Sequence, residues 1–128
     1  MSEDKRPIGL AKLKYINDNV EAAQQHKGGF VLIQCEQYEQ CLETLTNVFS
    51  EDKMATQVEV DALLTLTNLC EVQNSKGIFS IKGSVSILKA LREIKEVLDD
   101  IKDPALKFKE LQDSLKHETK SKKSKSKH

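Results

Sequence analysis

The chain contains no tryptophan, and aromatic residues make up only 5% of it. Its core must therefore be built from leucine, isoleucine and valine rather than from large rings. Two prolines and five glycines in 128 residues are few breakers. Long helices are thereby permitted, whereas an all-β fold with its frequent turns fits poorly. No run approaches the ~18 consecutive apolar residues of a membrane span, and no membrane is expected among the partners. Residues 1–6 are not followed by an apolar signal core, and no Asn-x-Ser/Thr acceptor occurs anywhere. The three cysteines, Cys35, Cys41 and Cys70, are an odd number without zinc-like spacing. Together these absences point to a reducing intracellular setting, cytoplasmic or nuclear.

Chemistry is equally sparse. There are three histidines. His26 stands beside a glycine pair, where it suits a helix C-terminus, and His117 and His128 lie near or in the tail. No His-Glu-x-x-His or Glu-x-x-His is present, which removes the carboxylate-bridged di-metal bundle. Neither GxGxxG nor GxxxxGK[ST] occurs. Glu36, Glu39 and Glu43 share one helical surface, which reads as a solvated acidic face without the loop oxygens of an EF-hand. The cysteines fall on or beside apolar stripes with acidic neighbours. Such surroundings raise a thiol pKa and favour a packing role. No catalytic residue, metal ligand or cofactor is assigned. An enzyme would need a deep pocket gathering Cys35, His26 and a carboxylate.

What is present is charge and periodicity. The formal net charge is zero, with 20 basic and 20 acidic residues. Lys116 to His128 hold six lysines against one glutamate, a net +5. The other 115 residues hold 14 basic and 19 acidic groups, a net −5. An acidic body thus carries a basic tail. Lys116, Lys120, Lys122, Lys123, Lys125 and Lys127 are candidate polyanion ligands. Without arginine or interleaved aromatics they can neutralise phosphates but cannot read bases. The tail equally suits a solubilising terminus, and its serines are possible phosphate acceptors.

Five segments show helical periodicity. The first, Ile8 to His26, carries Leu13, Ile16, Val20 and Ala23 and stops at Gly28 and Gly29. So thin a stripe suggests a helix on the outside of the core. The second, Phe30 to Phe49, alternates steps of four and three through Val31, Cys35, Tyr38, Leu42, Leu45 and Phe49. Its opening residues Phe30 to Ile33 alone would also suit a short buried strand. The third, Thr56 to Asn74, presents Val58, Ala62, Leu63, Leu66, Leu69 and Cys70, with Ser50 or Thr56 as N-cap. A rival arrangement pairs residues 69–73 and 78–82 as a β-hairpin. The fourth, Ser84 to Lys102, keeps heptad spacing through Ile87, Leu91, Ile94, Leu98 and Ile101. Leu88 and Val97 widen that stripe, and Lys89–Glu93 and Arg92–Glu96 are i,i+4 pairs. Asp103 and Pro104 are a natural N-cap and first helical residue, so a fifth helix runs to about His117. It keeps the heptad phase through Ala105, Phe108 and Leu115, and the last two segments would also form one helix kinked at the proline.

Leu42 to Val48 and Leu63 to Leu69 echo each other at a spacing of 21 residues. Both resemble the leucine-and-asparagine helix ends of armadillo-type repeats. The period near forty and the several copies of such arrays are missing.

The expected fold is all-α: a four- to five-helix bundle or an α-α superhelical array. Residues 1–7 form a flexible N-terminus, 8–117 one helical domain, and 118–128 a disordered Lys/Ser tail. The expected function is a non-enzymatic protein-interaction module: an adaptor, assembly factor or subunit. Its candidate interface is Ile87, Leu91, Ile94, Leu98, Ile101 and Phe108, with a homo-oligomer possible. The alternative is a nucleic-acid-associated regulatory or structural factor that docks through the tail.

Overall fold

The computed structural model describes residues 5–51 and 53–126, with side chains described as far as Leu115. It carries five helices: α1 (Arg6–Lys27), α2 (Leu32–Ser50), α3 (Gln57–Ser75), α4 (Ile81–Asp100) and α5 (Pro104–Ser126). No strand occurs among the described residues. The Lys/Ser tail expected from Glu118 falls on the end of α5, where side chains are not described. Residues 1–4 and 127–128 lie outside the described residues altogether. Arg6 and Pro7, expected in the flexible N-terminus, instead form the first turn of α1. The missing proline N–H costs nothing there.

The first four helices pack in a closed ring, α1 on α2, α2 on α3, α3 on α4, and α4 back on α1. An open array joins each repeat only to its neighbours. Contact between the first and fourth helices therefore makes this a bundle. Each helix contributes one fully buried branched side chain: Ile16, Leu45, Leu66 and Ile94 are all 0% exposed. Burial of each stabilises the fold by about 1.5–3 kcal/mol. The echoed segments of α2 and α3 supply facing core residues, with Leu45 and Val48 answered by Leu66 and Leu69.

α1 corrects the sequence reading most. Its thin stripe lies inside the bundle, with Leu13, Ile16 and Val20 all buried. Gly9 explains how one more contact is made without an apolar side chain. A Cβ at Gly9 would stand 2.8 Å from the Phe49 ring, so the bare backbone lets Phe49 lie against α1. Lys12 then pairs with Glu93 of α4 at 2.9 Å. Glu93 therefore bridges two helices, where an intrahelical pair with Lys89 was expected.

The helix ends follow local chemistry. Gly28 ends α1 at φ 75°, a left-handed conformation open to glycine. Gln24 closes the following turn by accepting from the Phe30 N–H at 2.9 Å and donating to its carbonyl at 3.1 Å. Phe30 is buried against Tyr38 before α2 begins, which displaces both the helix start and the short strand considered there. Thr56, not Ser50, caps α3: its N–H and its hydroxyl both donate to the Glu59 carboxylate. The hairpin over 69–82 does not form. α3 runs to Ser75, Gly77 turns at φ 73°, and the Ser80 hydroxyl accepts from Gly83 N–H to start α4. The last two segments are separate helices. Between them the Ala55 N–H donates to the Ile101 carbonyl at 2.7 Å, and the Asp103 N–H donates to the Ala55 carbonyl at 2.9 Å. The Asp103 carboxylate then accepts from Ala105 N–H at 2.8 Å, the expected cap.

One polar side chain sits in this core. Gln73 is 0% exposed, and neither its amide nitrogen nor its amide oxygen finds a partner among the described residues. Unpaired buried amide groups cost about 1–3 kcal/mol. Gln73→Met keeps the length of the side chain and removes both orphan groups. Chemical denaturation should show that variant to be more stable by about 1 kcal/mol.

Candidate functional site

The sequence-derived interface lies on α4, and burial divides it. Ile87, Leu91, Ile94 and Leu98 are 6% exposed or less. Their heptad face is turned into the ring, so it is not available to a second protein. The seam was read as a partner surface because an internal stripe and an external one share the same period. Ile101 is half-buried beside the core. Of the six candidates only Phe108 is freely presented, at 62% exposure.

Phe108 belongs to α5, whose first turns lie beside the end of α4, where Lys95, Asp99, Glu110 and Leu111 line one opening. Leu106 is buried at its base. Beyond it Phe108, Leu111 and Leu115 are 62%, 58% and 55% exposed. Steps of three and four place these side chains along one face. Leu111 was not singled out in the sequence, although its spacing from Phe108 carried the signal.

The root of α5 is fixed by charge. The Lys102 ammonium lies 2.9 Å from the Asp99 carboxylate and 2.9 Å from that of Glu110. One cation thus ties the last turn of α4 to the second turn of α5. Burial works to lower the Lys102 pKa, but its hydrogen bonds to Glu110 and Asp99 outweigh burial and raise it. Burial likewise pushes Asp99 up, and the Lys102 hydrogen bond and charge more than reverse this, leaving it below its ordinary value.

A second apolar surface is the seam between α3 and α4. Val60, Leu63, Leu64 and Thr67 on one side face Lys95 and Leu98 on the other across an open groove. Leu64 is 61% exposed there. Further along the same seam, Phe79, Val85 and Leu88 line a second opening.

A cleft between α1 and α2 collects Cys35, Glu21, Glu39 and Tyr38. His26 is not among its lining residues, so this cleft does not gather the Cys35, His26 and carboxylate set that an enzyme reading would require. The Cys35 sulfur accepts a 3.8 Å contact from the Gln24 amide. The Tyr38 hydroxyl donates to Asn17 at 3.0 Å, and burial above all raises the phenol pKa. Cys41, read as flanking the α2 stripe, is buried in the core, while Cys35 is only half-buried. Burial raises the Cys41 thiol, and burial together with Glu71 pushes Cys70 up to about 12. Among the described residues no three His, Cys, Asp or Glu side chains gather as a metal site. The six candidate lysines of the tail, from Lys116 to Lys127, lie outside the residues whose side chains are described.

The Lys102 pairings should last across a bounded pH range. The lowered Asp99 pKa gives stability that is present above the unfolded value of about 3.9 and lost as pH falls through the folded one. The raised Lys102 pKa gives stability that is complete below about 10.4 and lost as pH rises through its folded value. Both carboxylates are partly exposed, so screening limits Lys102→Met to a loss of about 0.5–1 kcal/mol. Hydrogen exchange should show faster opening of amides 105–110 in that variant, with the core of the ring unchanged.

No family model, no curated protein and no solved structure matches this chain.

Proposed function

We propose that the chain is a non-enzymatic helical protein-interaction module, an adaptor or subunit that works through α5. One observation carries this reading: the exposed row of Phe108, Leu111 and Leu115 on a helix that lies outside the four-helix ring. Contiguous exposed apolar surface of this kind marks an interaction site more often than isolated apolar residues do. An amphipathic helix is suited to an apolar groove. The α3–α4 seam offers one of matching character on the same molecule. Reciprocal exchange, with α5 of each copy lying in the α3–α4 groove of the other, satisfies both surfaces and closes a two-fold dimer.

Sedimentation at several concentrations tests this directly. Wild type should show a species above 14.5 kDa that grows with concentration. Phe108→Asp combined with Leu115→Asp should abolish it without lowering thermal stability, because both residues are exposed. If only monomer is seen at every concentration, the two-fold exchange is wrong. Capture of native partners by wild type and by the same variant then decides the rest. Identical partner sets would remove α5 as the interaction surface.

The charge segregation favours a second reading, docking on nucleic acid through the six lysines of the tail. Neutralising six phosphates gives a log–log salt slope of about −5 on duplex DNA. Substituting the tail lysines by glutamine should eliminate that binding. An unchanged affinity after the substitution would dismiss the tail.

A further inference from the structure

We infer that the end of the bundle holding the α1–α2 and α3–α4 turns docks on an anionic lipid surface. The two turns are held together at this end. The Lys27 ammonium donates to the Ile78 carbonyl at 3.4 Å, and the Lys76 ammonium donates to the Gly29 carbonyl. The Gly29 backbone also lies so close to Ile78 that a Cβ there would stand 2.6 Å from its methyl group. The first turns of α2 and α4 start from these joined loops, and each presents bare aliphatic side chains. Leu32 is 90% exposed, Ile81 85%, Ile33 60% and Val31 57%. No other large apolar residues among the described ones are as exposed as Leu32 and Ile81.

The residues nearest the two turns carry basic groups only, and acidic residues begin at Glu21, Glu36 and Glu71. Neither residues 22–35 nor residues 72–92 contain an aspartate or glutamate, in a chain with 20 of them. The same stretches hold His26, Lys27, Lys76 and Lys82, with Lys89 and Arg92 farther along α4. No ion pair involves Lys27, Lys76 or Lys82 among the described residues. The four helices alternate in direction, so their dipoles largely cancel at this end and the side chains set its sign. The remainder of the body is acidic, so the positive end is a local feature.

Protruding aliphatics flanked by Lys27, Lys76 and Lys82 match an anionic bilayer in both of its layers. The lysines meet the lipid phosphates and the aliphatics enter the boundary between headgroups and acyl chains. No helix among the described residues is long and apolar enough to cross a membrane, and an end-on surface contact requires none. This departs from the expectation, drawn from hydrophobic run length, that no membrane is involved. Run length detects spans and is blind to a tip assembled from two turns 50 residues apart.

Vesicle cosedimentation of the full chain tests the inference. One set of vesicles is phosphatidylcholine alone, and the other contains about one-third phosphatidylserine. The chain should bind the second and not the first. Leu32→Ser combined with Ile81→Ser should weaken binding at least about tenfold, with an unchanged melting transition because both sites are exposed. Lys76→Gln and Lys82→Gln should each weaken it about fivefold. A full-length variant with Lys120, Lys122, Lys123, Lys125 and Lys127 changed to Gln separates the tip from the tail and should still bind. The inference fails if binding is absent, is equal on both vesicles, survives the double serine variant, or is lost with the tail lysines alone.

Discussion

Burial of a narrow stripe on α1 is the constraint on which the rest of this structure depends. Leu13, Ile16 and Val20 fill the space between α2 and α4. With only three fully buried large side chains and Leu10 at the margin, α1 closes the ring by close approach. Gly9 supplies that approach at one end, where the Phe49 ring takes the place of a side chain. At the other end the Gln24 amide holds the backbone of Phe30 and so fixes where α2 begins. A closed ring then turns the heptad face of α4 inward. It leaves α5, which has no place in the ring, with its apolar row uncovered.

Charge is organised by the same architecture. The ring has two ends. At one, Lys5 pairs with Asp100 and the Lys102 ammonium holds Asp99 and Glu110, so positive and negative groups are matched. At the other, Lys27 and Lys76 reach across to backbone carbonyls, and among the described residues neither forms an ion pair. The first end stiffens the joint from which α5 and the basic tail leave. The second keeps its charge for an external anion. A chain of zero formal charge thus presents separate basic regions on an acidic body.

Periodicity revealed all five helices because each keeps apolar residues at three- and four-residue steps long enough to define a face. Local cap and turn chemistry marked Asp103 and Gly28 as boundaries and left Ser50 and Thr56 as rivals for the start of α3, since capping depends on local hydrogen bonds and on φ at single residues. Periodicity failed for the interface on α4. Ile87, Leu91, Ile94 and Leu98 repeat in the same way whether they meet a partner or the chain's own α1 and α3. Exposure separates the two cases, and exposure belongs to the assembled ring. The pairing of Lys12 with Glu93 was hidden for the same reason: intrahelical spacing offered Lys89 as the nearer cation.

The sequence by itself determined that the chain is helical, where most of its helices stop, and that its charge is split between body and tail. These follow from interactions within a few residues and from composition. Only the tertiary structure decided that α1 is central, that α4 is spent in the core, and that Leu32 and Ile81 meet Lys27 and Lys76 at one end. Those facts join residues about 50 positions apart, and their relation is set by how four faces close around one interior. A core poor in aromatic rings and breakers is closed by one bare glycine, and the apolar side chains left outside it form the surfaces available for contact.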